Sequence, residues 1–298
     1  MELDLIERAA RRLQREMPAE DPPASGDADV RASTAEAPAE SSAPAPARPS
    51  RRHSARAGTV NLGRLQALGM VTPDGANRQL TEEFRRIKRP LLENAFGKKN
   101  VPPLRNGNLV MVTSAVAGEG KSFCAVNLAM SIVRELDNTV LLVDADVAKP
   151  SILDLLGLEG GRGLLDLILD ESLEMADVLI KTDVEKLSVL PAGNVRANAT
   201  ELLASGAMHR LLQDMTQRYP DRIIIFDSPP LLITNESRVL ATQMGQVVVV
   251  VEAGHTTQSA VGEALELIES CDVVNLLLNK SHSLDLASQP YGYGSYGG

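Results

Sequence analysis

The sequence predicts an α/β fold: a doubly wound, mostly parallel sheet with a phosphate-binding loop at the carboxyl end of one strand, preceded by a disordered N-terminal segment. Three observations predict it. Short apolar runs of strand length alternate with helical patterns from about residue 80 onward. One such run, Leu109 to Thr113, leads into AVAGEGKS (Ala115 to Ser122) and then a helical pattern. Two later runs, Thr139 to Val143 and Ile223 to Phe226, are followed by Asp144 and Asp227. Continuous apolar strands joined by helices are buried on both faces, and such sheets bind ligands at the carboxyl ends of their strands.

The chain has 298 residues, and its composition is uneven. Met1 to Met17 (residues 1–17) suits an amphipathic helix with Leu5, Ile6, Ala9 and Leu13 on one face, and it is too charged for a signal peptide. Between Pro18 and Thr59 the only large aliphatic residue is Val30, so this stretch cannot bury enough surface to offset its ordering entropy. Residues 18–79 are therefore expected to be a disordered or poorly ordered linker, with a basic cluster at Arg48, Arg51, Arg52, His53 and Arg56. The net charge of −9 argues against nucleic-acid binding. No apolar run reaches the roughly 20 residues needed to span a bilayer, which points to the cytoplasm. Cys124 and Cys271 form no metal or redox pattern and read as buried thiols.

The first folded element is expected at Leu80 to Phe96, where Thr81 can cap a helix with Phe84, Ile87 and Leu91 on one face. Glu82, Arg85 and Lys88, three apart, form a charged ridge on it. Next comes the loop. Gly118 and Gly120 permit the tight turn that aims backbone N–H groups at phosphate oxygens, and the following helix, carrying Val126, Met130 and Val133, adds its unpaired first-turn donors. Lys121 is placed to reach the β- and γ-phosphates and Ser122 to ligate Mg²⁺; Ala115 stands where the strict motif has glycine. Asp144 and Asp146, two apart at a strand end beside a phosphate, imply a cation, with one acid free to take a proton.

Helical patterns then cover Ser151 to Leu158 and Gly163 to Asp170, and Leu187 to Gly193 reads as strand and turn. Residues 199–219 form one helix or two, with Gly206 as the break. Asp227, followed by Ser228, Pro229 and Pro230, is a Walker B-like aspartate that would hold a Mg²⁺-bound water opposite Ser122. The alternation continues with a helix near Glu236 to Met244, a strand from Gln246 to Val251, a helix from Thr257 to Glu269 and a strand from Val273 to Leu278. Asn279 and Lys280 at its end are candidates for base recognition. Three of the four tyrosines, Tyr291, Tyr293 and Tyr296, fall in a Gly- and Ser-spaced terminal run that suggests a modification substrate or a sticky tail.

Taken together, AVAGEGKS, VLLVDAD followed by KPS, IIIFDSPP, EEFRRIK and the tyrosine-rich end resemble the bacterial tyrosine kinases, specifically the exosortase-associated tyrosine autokinases of exopolysaccharide operons. The resemblance implies a P-loop NTPase with deviant Walker motifs over residues 80–283 and a flexible tyrosine-rich tail over 284–298. It implies ATP and Mg²⁺ as cofactors, with Ala117, Gly118, Glu119, Gly120, Lys121, Ser122, Phe123 and Asn279 around the nucleotide. Ser122, Asp146 and Asp227 would hold the metal, and Asp144 would be the base for the tyrosine hydroxyl. Tyr291, Tyr293 and Tyr296 would accept phosphate from a neighbouring subunit in a ring. Glu82, Arg85 and Lys88 match the family's E-x-x-R-x-x-R oligomerisation helix, with lysine in the last position. The implied partner is the cytoplasmic segment of a membrane polysaccharide co-polymerase, which would recruit the chain to the inner face of the membrane.

Two positions depart from the family pattern: Ala148 where D-x-D-x-R has arginine, and Ala117 where proline is common. The rival readings are a ParA/MinD-type ATPase switch, whose second lysine would fall at Val116, and a nucleotide-gated scaffold of polysaccharide machinery.

Overall fold

The computed structural model describes residues 55–194 and 196–281. The N-terminal helix expected over residues 1–17 and Tyr291, Tyr293 and Tyr296 lie outside the described residues.

Eight strands form one sheet. They are β1 (Arg56–Gly58), β2 (Leu109–Ser114), β3 (Thr139–Asp144), β4 (Ile180–Thr182), β5 (Leu187–Leu190), β6 (Arg222–Asp227), β7 (Gln246–Glu252) and β8 (Val274–Asn279). Their order is β1-β4-β5-β3-β6-β2-β7-β8, parallel throughout except for the antiparallel β4–β5 pair. β2, which carries the loop motif, therefore lies between β6 and β7. Helices cover both faces, because successive residues of each central strand point to opposite sides and both sides are apolar. On one face Val110, Val112, Leu142, Ile225 and Val248 pack with α2 (Arg78–Phe96) and α3 (Lys121–Ile132). On the other, Met111, Leu141, Phe226 and Val249 pack with α5 (Leu164–Leu169), α8 (Gly206–Arg218) and α9 (Asn235–Ala241).

Order begins earlier than the composition suggests. The linker expected to run to residue 79 is folded from Arg56: β1 pairs with β4, and α1 (Leu62–Ala67) buries Leu65, with Val60, Met70 and Val71 also in the core. Few apolar residues suffice here because they dock on a surface built by the rest of the chain. The Asp183 carboxylate accepts the Val60 N–H, and the Asn127 side-chain oxygen accepts that of Val71.

Helix α2 starts two residues before Leu80, capped by the Asn77 side chain rather than by Thr81, and runs unbroken through Pro90. The 199–219 stretch is two helices, α7 (Ala199–Leu203) and α8, because the Ser205 hydroxyl accepts the Met208 N–H and restarts the helix. The remaining elements are α4 (Ile152–Leu156), α6 (Met175–Val178) and α10 (Gln258–Glu266).

The charged ridge on α2 is corrected at one position. Glu82 and Arg85 are exposed and pair with each other at 2.9 Å, but Lys88 is 4% exposed. Its ammonium donates to the Ser131 carbonyl (2.5 Å) and meets the Glu135 carboxylate (2.7 Å). A 19-residue helix that buries Phe84 and Leu91 on α3 turns part of the ridge toward α3's end, so Lys88 ties two helices of one subunit together.

Candidate active site

β2 ends at Ser114 and α3 begins at Lys121, and the six residues between them turn over the carboxyl rim of the sheet. Gly118 and Gly120 hold φ of 92° and 93°, which side-chain-bearing residues rarely adopt. A Cβ on Gly120 would fall 2.2 Å from the Asn279 side-chain nitrogen and would displace that side chain.

The ends of β3 and β6 supply the acids. Asp144 and Asp227 pair in register at the last position of their strands, both fully buried. Lys121 Nζ lies 2.7 Å from Asp146 Oδ2, 3.8 Å from Asp227 Oδ1 and 3.3 Å from the Ser122 hydroxyl. Burial alone would lower the Lys121 pKa, but the Asp227, Asp146 and Asp144 carboxylates outweigh it and hold the amine above its ordinary range. Burial pushes Asp227 up to about 7 and Asp144 up to about 6.

Asp144 Oδ2 accepts the Ser151 and Ile152 N–H groups at 3.0 Å each, fixing the start of α4. The Ser151 hydroxyl donates to that of Ser122 at 2.9 Å. Among the described residues, Asp144 Oδ1 and both oxygens of Asp227 are buried with no well-formed hydrogen bond, the Ser122 hydroxyl being the polar group that acts on Asp227. Orphaned carboxylate oxygens beside a serine hydroxyl and an ammonium fit a hydrated divalent cation. Among the described residues no three acids stand close enough to ligate an ion by themselves. An ion here would also draw on Ser122, water and phosphate oxygens.

A cavity of about 490 Å³ opens over this cluster, on the β3/β6 side of the loop. Its lining includes the polar side chains of Lys121, Ser122, Asp146 and Lys149 and the apolar ones of Phe123, Leu155, Pro230 and the 60% exposed Ile233. Ala148 also lines it.

The structure thus brings together Ala117, Gly118, Gly120, Lys121, Ser122, Phe123 and Asp146 at one cavity, with Asp144 and Asp227 beneath it. Asp144, expected to act as base, is not on the cavity surface, because two backbone N–H groups draw it under α4. Glu119 faces away from the cavity with a buried side chain, and Asn279 donates to the Glu119 carbonyl at 2.8 Å. Glu82 and Arg85 are remote from the site by sequence and element. Sequence reasoning missed Ser151, Glu252 and Thr256. Ser151 stands in the KPS that helps carry the family resemblance, but no role for its hydroxyl is legible there. For Glu252 and Thr256 the one available signal was their partner, a glutamate set between two glycines of the loop.

Residues 105–280, more than half of the chain, match the ParA family model described as NUBPL iron-transfer P-loop NTPase. The tyrosine-protein kinase YwqD of Bacillus subtilis is 33% identical over 188 residues, covering 63% of this chain and 77% of YwqD. The chain belongs to the bacterial tyrosine-protein kinases. EpsB of Ralstonia nicotianae is 31% identical over 191 residues, covering 63% of this chain but only 24% of that longer protein. Among solved structures, the chimerical protein CapA2B2 superposes with a TM-score of 0.56 at 29% identity, over 65% of this chain and 83% of CapA2B2. Every candidate site residue from Lys121 to Asp227 falls inside the span that matches the family model.

Proposed function

We propose that the protein transfers the γ-phosphoryl group of ATP to protein tyrosine, its own Tyr291, Tyr293 and Tyr296 first. The observation that carries this reading is Lys121 seated among Asp144, Asp146 and Asp227, beside a cavity lined by both polar and apolar side chains. Phosphates would compete with Asp146 for the Lys121 amine, so nucleotide binding releases Asp146. A Mg²⁺ ion held by Ser122, Asp146 and Asp227 through water would neutralise charge on the transferring phosphate. The apolar lining residues Leu155, Pro230 and Ile233 suit a phenol ring in van der Waals contact.

In the step itself the acceptor oxygen bonds to the γ-phosphorus, the bond to the ADP oxygen breaks, and the phenolic proton passes to a carboxylate. Asp144 is that base in this reading. With a pKa of about 6 it is largely ionised at neutral pH, and reaching the phenol requires the Ser151–Ile152 cap to loosen.

Further assignments rest on the family resemblance: a ring-forming homo-oligomer, control of exopolysaccharide polymerisation or export, and recruitment from the cytoplasm to the membrane by a co-polymerase's cytoplasmic segment. In keeping with recruitment by a partner, no helix among the described residues is long and apolar enough to cross a membrane. Incubating purified full-length protein with ATP and Mg²⁺ and mapping phosphate by mass spectrometry tests the core of this reading. Phosphotyrosine should appear in Tyr291 to Tyr296 and vanish in Lys121→Met. Absence of phosphotyrosine in the wild type, alone and with its co-polymerase segment, would sink it.

A further inference from the structure

The side of the phosphate loop turned away from the cavity carries its own set of contacts. Glu119 is buried although it sits at the tip of a surface loop. One of its carboxylate oxygens accepts the Val116 N–H at 2.7 Å, closing the loop on itself. The other accepts the N–H of Glu252, the last residue of β7, at 3.3 Å and the Thr256 hydroxyl in the turn that follows. From β8, Asn279 donates to the Glu119 carbonyl (2.8 Å), and Lys280 donates to the Gly118 carbonyl (2.8 Å) and pairs with the Glu252 carboxylate (2.9 Å). Lys280 reaches this position from a left-handed backbone, φ 55°, at the strand's end.

These contacts have a directional consequence. A trans peptide is planar, so its C=O and the next N–H point in opposite directions. With the Gly118 and Glu119 carbonyls drawn outward by Lys280 and Asn279, the N–H groups of Glu119 and Gly120 are turned to the other side, where a phosphate would sit. The loop's glycines allow this conformation but do not select it. Glycine is as free to adopt other geometries, and ordering it costs more than for any other residue. An external clasp removes that cost before nucleotide arrives.

We propose that Glu119, Asn279 and Lys280 are positioning residues that hold the phosphate loop in its binding geometry from outside the cavity, anchored on Glu252 and Thr256. This assigns Asn279 to the loop's backbone, and it rests on the nucleotide-binding reading given above. Lys280 stands immediately before the C-terminal segment that bears the tyrosines, so the clasp is also where that segment is rooted.

The test uses the full-length chain, with ATP and Mg²⁺ as probe in a calorimetric titration. Lys280→Met, made at a side chain about half exposed, should fold normally, weaken ATP binding about 3- to 10-fold and raise the KM for ATP with kcat changed less than twofold. Lys280→Arg should recover most of the affinity. Thr256→Val should behave like Lys280→Met, and Thr256→Ser, which keeps the hydroxyl, like wild type. A merely structural role would lower the melting temperature and leave the affinity of the folded protein unchanged. Wild-type affinity in folded Lys280→Met overturns the proposal, and that variant alone decides if Thr256→Val does not fold. If wild type itself binds no ATP, the nucleotide reading fails and takes the clasp with it, an outcome separate from wild type binding tightly and the variants equally so.

Discussion

Lys121 lies among three acids, and that arrangement sets the sign of two predictions. Lys121→Met should abolish phosphotyrosine formation while leaving the fold intact, which circular dichroism and the mass-spectrometric map check together. Asp227 is a stronger case, because its carboxylate is fully buried and its pKa is raised by burial to about 7, with Asp144 raised to about 6. A carboxyl whose folded-state pKa is raised contributes stability below its unfolded value near 4, and that contribution is lost as pH rises through the folded value. With chelator present, Asp227→Asn should therefore be more stable than wild type at pH 8, by about 1–3 kcal/mol after the lost attraction to Lys121, and the advantage should shrink toward pH 5. Urea melts at the two pH values measure it. An Asp227→Asn protein less stable than wild type at pH 8 would show that the acid is structural. At this scale Lys121, Ser122, Asp144 and Asp227 were legible in the sequence because covalent spacing alone places them at strand ends and a helix start. The side-chain directions of Glu119 and Asp144 were not, since each is set by N–H groups from other parts of the chain.

Helix α2 shows how an element can be read correctly and its faces only partly. The apolar stripe of Phe84 and Leu91 was legible from the 3.6-residue period, but Lys88 sits at the stripe's margin and only α3 decides where its ammonium goes. Lys88→Ala should cost about 1–3 kcal/mol of stability, because the Ser131 carbonyl and Glu135 lose a buried charged donor. Self-association should be unaffected beyond that loss. The Glu82→Ala, Arg85→Ala double variant should do the reverse, weakening self-association without changing the urea midpoint, if this exposed pair meets a second subunit. Light scattering at several concentrations separates the two cases, and a wild type that stays monomeric with nucleotide and its partner present would end the ring reading. The short edge elements β1 and α1 escaped sequence reading for a related reason. Three residues of strand carry no usable periodicity, and their order comes from β4 and from the Asp183 carboxylate.

At the scale of the whole molecule, the mostly parallel sheet places the phosphate loop, the acids at the ends of β3 and β6, and the exit of the chain after β8 on one rim. Between β8 and β6 lie β7 and β2, so at roughly 4.8 Å per strand the exit is about 14 Å from Asp227 on β6 and about 19 Å from Asp144 on β3. Tyr291 lies ten residues beyond Ser281, a stretch that can span about 33 Å when extended. Reach alone thus permits transfer to the chain's own site as well as to a neighbour's, and only a mixing experiment can distinguish them. The expected outcome is transfer between chains. A Lys121→Met chain keeps its tyrosines but has lost its phosphate-binding amine; a second chain with Phe at Tyr291, Tyr293 and Tyr296 keeps the site but has no tail acceptor. Mixed with ATP and Mg²⁺, the pair should place phosphate on the Lys121→Met chain. Each phosphate adds about −1.5 to −2 charges. Several of them would be repelled by Asp144, Asp146 and Asp227 in a neighbour's site, so the labelled assembly should also dissociate, which light scattering follows in the same sample. Wild-type self-labelling with none on the Lys121→Met chain would mean that the tail folds back on its own site, and the modified tail would then have no neighbour to leave.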